Sequence, residues 1–103
     1  MNRKVEAVQQ EIAKEKAEAL GLTGRRLEQA LRALREFDAS RVSRAAAPDD
    51  ARRRTELVAH AVDRVTSMLV QREAQGLRDP GYVFKFYSVP QEVIARLGIR
   101  TAR

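Results

Sequence analysis

Four apolar residues, Val58, Val62, Val65 and Leu69, follow one another at spacings of four, three and four. That rhythm puts all four on one side of an α-helix and is incompatible with the two-residue alternation of a half-buried strand. Leu57, Ala61 and Met68 widen the stripe into a coiled-coil-like seam with a broad shoulder. The helix has clear ends. It starts in "AAAPDDARRR", where Pro48 suits a first turn and Asp49 and Asp50 favour the positive end of the helix dipole. It runs to about Gln75 and closes at Gly76. At 1.5 Å per residue its length is roughly 42 Å.

Two further helices are expected before it. Val5, Val8, Ile12 and Ala19 recur at helical spacing from about Arg3 to Leu20, and Gly21 reads as a C-cap. Thr23 reads as the N-cap of a second helix carrying Leu27, Leu31 and Leu34, with Ala30 and Phe37 widening the stripe. Of the apolar residues, 16 are Ala and none is Trp. A core of such small side chains needs close helix packing or a second copy of the chain.

Beyond Gly76 the helical pattern stops. "RDPGYVFKFYSVP" holds a turn at Asp79, Pro80 and Gly81, then an aromatic run expected to be extended, with Phe84 and Phe86 on one face. Ser88 is expected to cap a short last helix that ends at Gly98. The fold expected is all-α and a single domain over residues 1–103. It is a small three-helix bundle, its third helix the longest, plus an aromatic extended segment and a short C-terminal helix. The second and third helices should pack antiparallel across their short connection.

Two stretches resemble nucleic-acid-binding motifs. "QEVIARLGIRTAR" resembles the first helix and turn of bacterial helix-turn-helix proteins, with Ala95 and Gly98 at the spacing that suits the turn. That resemblance implies a recognition helix after Ile99. Only Arg100 to Arg103 follow, so the stretch is read as a packed terminal helix with Val93, Ile94 and Leu97 inward. "GYVFKF" is similar to part of the RNA-recognition strand motif of the RRM family, but its spacing departs from that motif and the four-stranded sheet is missing. A core or dimer contact suits the aromatic run better.

The net charge is +6, with 16 Arg against 4 Lys. Arg25 and Arg26, and Arg52, Arg53 and Arg54, are the candidate anion contacts. Arginine-rich composition alone also accounts for the charge. Cysteine is absent, which excludes disulfides and thiolate chemistry. His60 is the single histidine, and no Gly-rich phosphate loop or nucleophile motif occurs. No metal, cofactor or catalytic residue is expected. The N-terminus has no apolar signal core, and no run approaches a membrane span, so a cytoplasmic protein is expected.

The functional expectation is a non-enzymatic helical interaction or structural protein of bacterial type, acting as a homodimer. Val58, Val62, Val65, Leu69, Phe84 and Phe86 are the candidate dimer or partner contacts. The alternative is a nucleic-acid-binding protein that uses its Arg-rich helix surfaces.

Overall fold

A computed structural model describes residues 3–98, the side chain of Lys16 apart. Residues 99–103, where the helix-turn-helix resemblance would require its second helix to begin, lie outside the described ones. The described chain is all-α: α1 Arg3–Ser43, α2 Asp50–Ala74, α3 Pro80–Phe86 and α4 Gln91–Ala95.

The first 43 residues are not two helices. α1 is continuous through Gly21 and Gly24, and with 41 residues it, rather than the expected third helix, is the longest. Neither glycine takes the left-handed conformation that ends a helix, which Gly76 and Gly98 do adopt. Strong helix formers flank both positions, and a helical glycine costs only about 1 kcal/mol relative to Ala. Thr23 is accordingly not a cap. It is buried in mid-helix, and its hydroxyl donates to Gln71 Oε1 at 2.7 Å.

α1 and α2 form an antiparallel hairpin. Thr23 meets Gln71 near one end, and Asp38 meets Arg54 near the other. The connection is closed by Asp50. Its carboxylate accepts from the Ala47 backbone N–H at 2.6 Å, while its own N–H donates to the Ala47 carbonyl. Arg41 and Arg44, in and just past the last turn of α1, both reach the same carboxylate. Gly76 ends α2 in a Schellman turn, with Leu77 N–H on the Arg72 carbonyl and Gly76 N–H on that of Glu73.

The aromatic run is helical, not extended. Asp79 accepts from Gly81 N–H and Pro80 follows it in the first turn, so the expected loop turn is a helix start. Phe84 and Phe86 therefore do not share a face; the inward position is Val83, fully buried. Ser88 does not begin α4. It closes α3 in a second Schellman turn with φ 52°, a left-handed position more often held by Gly.

The core is one cluster. Leu27, Ala30, Leu31 and Leu34 of α1 face Val58, Ala61, Val65 and Met68 of α2, and Val83, Val89 and Val93 close it. Ile94 and Leu97 pack against it half-buried. α2 ends level with about residue 20 of α1, so residues 3–19 run on alone for about 25 Å. The molecule is correspondingly long, 66 × 32 × 18 Å.

Candidate functional site

The hairpin divides the expected contact residues. Val58 and Val65 are fully buried inside the monomer, because α1 covers the seam with its leucines. Val62, Leu69 and Phe84 are half-buried against the same core. Phe86 alone stands out, at 63% exposed. The seam that looked wide enough for a second chain is wide because α1, α3 and α4 all rest on α2.

Phe86 belongs to an exposed aromatic face. Its ring stacks on Tyr82 at 5.6 Å between centroids and meets Tyr87 edge-on at 4.9 Å. The Arg72 guanidinium lies 4.8 Å from the Tyr82 ring centre, a cation–π distance. Arg72 Nε is buried with no hydrogen-bond acceptor, beside a cavity of about 230 Å³ that Leu20, Met68, Tyr82 and Phe86 also line. Ligand pockets are usually larger, about 300–1,000 Å³. Burial raises the Tyr87 phenol above its ordinary value, reinforced by Glu28 and Tyr82 and opposed by Arg72.

The arginines are dispersed. Arg54 is held by two carboxylates of its own chain. Its Nε and Nη2 donate to Asp38 at 2.8 and 3.1 Å, and its Nη1 and Nη2 donate to Glu92 at 2.8 and 2.9 Å. This bidentate double pair ties α1, α2 and α4 together. It lowers the carboxyls of Asp38 and Glu92 below the usual range, chiefly through the hydrogen bonds from Arg54. Arg52 pairs with Asp49 at 3.3 Å. Arg53 points to solvent, as do Arg25 and Arg26. Arg54 stands level with Asp38, and Arg26 lies twelve residues earlier on α1, about 18 Å away. The two arginine groups therefore do not converge on one phosphate. His60 is exposed, and among the described residues no three acidic, His or Cys side chains gather to hold a metal ion.

The most unusual surface was not singled out from the sequence. Every described side chain from residue 3 to 19 is exposed. Val5, Val8 and Ile12 are 51, 53 and 46% exposed, and Leu22 is 43% exposed at the root of this arm. The helical spacing of Val5, Val8 and Ile12 is visible in the sequence. What the glycines conceal is that α1 runs unbroken past Gly21, so that α2 stops level with about residue 20 and leaves those three side chains uncovered.

A family model described as a family of unknown function (DUF6665) matches residues 2–103. No curated protein and no solved structure matches the chain.

Proposed function

The chain belongs to the DUF6665 family of unknown function, and we propose from that premise that it is a small non-enzymatic interaction protein that acts as a homodimer. The reading takes it to be a bacterial-type protein of the cytoplasm. No helix among the described residues is long and apolar enough to cross a membrane. The observation that carries the proposal is the α1 arm. The body of the protein has one buried core, and a helix of about 25 Å extends beyond it with Val5, Val8 and Ile12 about half exposed. Such a contiguous apolar surface on a small chain marks an interaction site. An isolated helix of this length is marginal in water, so a partner also stabilises the arm itself.

Light scattering on the full chain at micromolar concentration tests this. A mass of twice the 11.6 kDa chain is expected; the single-chain mass at all concentrations would remove the homodimer.

Nucleic-acid binding is the second reading, because the whole net charge of +6 lies outside the arm. Against it stand the ion pairs of Arg41, Arg44, Arg52 and Arg54. Binding that falls with salt at a log–log slope near −0.9 per phosphate contact would establish this reading. Absence of any retardation of DNA or RNA at low salt would remove it.

A further inference from the structure

We propose that the arm of α1 is a dimerisation helix that pairs antiparallel with the same arm of a second copy. This rests on the homodimer reading above and assigns its surface and orientation.

Val5, Val8, Ile12, Glu15, Ala19 and Leu22 follow spacings of three and four without interruption. These are the a and d positions of a heptad seam, which a second helix fills by knobs-into-holes packing. Val5 and Ile12 lie about five turns before Thr23 and Ala30, on the face that α2 covers further along but at a level α2 does not reach. Beside α2 the seam has turned away: at 100° per residue, Ala19 and Leu22 stand roughly a quarter turn or more from the Leu27–Leu31–Leu34 face. A second copy can therefore lie beside α1 without displacing α2. The exposure of Leu22, at a level where α2 is still present, follows from the same rotation.

Charge selects the occupant. Residues 3–20 hold four basic and four acidic residues, so two arms meet without net repulsion. An anionic partner would instead be drawn to the body, which carries the whole excess of +6.

Polarity selects the orientation. In a parallel pair each seam residue faces its own copy, which sets the two Glu15 carboxylates against each other inside the seam, a like-charge contact that desolvation makes costly. An antiparallel pair that overlaps the full seam sets Val5 against Leu22, Val8 against Ala19 and Ile12 against Glu15 of the other chain, so the two carboxylates do not oppose each other. Arg26, at the next a position, ends the seam.

The test uses the full chain. The seam is short, so a dissociation constant on the order of micromolar is expected. The double variant V8E/I12K removes two seam residues and leaves the arm neutral with a helix-supporting i,i+4 pair. Sedimentation equilibrium should show its association weakened by roughly tenfold or more, with wild-type thermal unfolding of the body. Because the chain has no cysteine, V8C and A19C each provide a single thiol. Oxidised glutathione should link V8C to A19C when the two variants are mixed, the two thiols being oxidised and the glutathione reduced. If V8E/I12K dimerises like the wild type, the arm is not the interface, although the homodimer stands. If V8C instead links to itself in that mixture, the antiparallel orientation is overturned. A wild-type chain still monomeric at about 100 μM overturns the inference and the homodimer together.

Discussion

The hydroxyl end of Tyr87 occupies the space beside Gly24 that a side-chain methyl would fill. Met68 closes the same space from α2, its Cε 3.5 Å from where that methyl would sit. α3 reaches the hairpin through this contact, so one helical glycine sets how close the aromatic face lies to α1.

The two α1 glycines should therefore respond oppositely to the same substitution. At Gly21 a methyl meets only Arg25 Nη1, at an ordinary 3.5 Å. Gly21→Ala should raise stability by about 0.5–1 kcal/mol through helix propensity. Gly24→Ala should lower it by about 1–3 kcal/mol, because Tyr87 is forced out of its contact. Urea unfolding of both variants checks the sign of each.

Arg54 joins three helices, but its guanidinium remains in contact with water. Solvent screening holds the expected cost of Arg54→Ala to about 1 kcal/mol, and added salt should narrow the difference from wild type. Hydrogen exchange should locate the loosening in α4, which has only five residues and loses its tie at Glu92.

Acid should unfold the protein through a small set of carboxylates. Hydrogen bonds from Arg44 and from the Ala47 N–H hold Asp50 down to about 2, and Arg54 lowers Asp38 and Glu92. A carboxyl depressed by folding contributes stability that is complete above its unfolded pKa and lost as pH falls through its folded pKa. The urea midpoint should therefore be flat from neutrality to about pH 5 and fall steadily towards pH 2. Asp50→Asn should start lower and fall less.

Ser88 sits at φ 52° where a helix stop favours glycine. Ser88→Gly should be neutral to stabilising by up to about 1 kcal/mol, whereas Ser88→Val should cost about 1–2 kcal/mol through β-branched crowding. Thermal melts of the two variants test this.

α2 was legible because nothing breaks it between Pro48 and Gly76, and its end residues act locally. α1 was misread at Gly21 because a glycine that ends a helix and one inside a helix look alike in sequence; only the backbone angle and the approach of Tyr87 to nearby Gly24 tell them apart. α3 was misread because its aromatic residues favour strands, while the Asp79 cap and the burial of Val83 decided for a helix. The apolar face of α2 was correctly located, but which helix covers it is tertiary information. For the same reason the helical spacing of Val5, Val8 and Ile12 does not show whether another helix covers them.

Hydrogen exchange across a concentration series tests the central claim, that the α1 arm is an assembly surface, most directly. Backbone amides of residues 5–19 should gain protection as concentration rises through the dissociation constant, while those of residues 27–34 stay equally protected throughout. Fast, concentration-independent exchange along residues 5–19 would contradict the account.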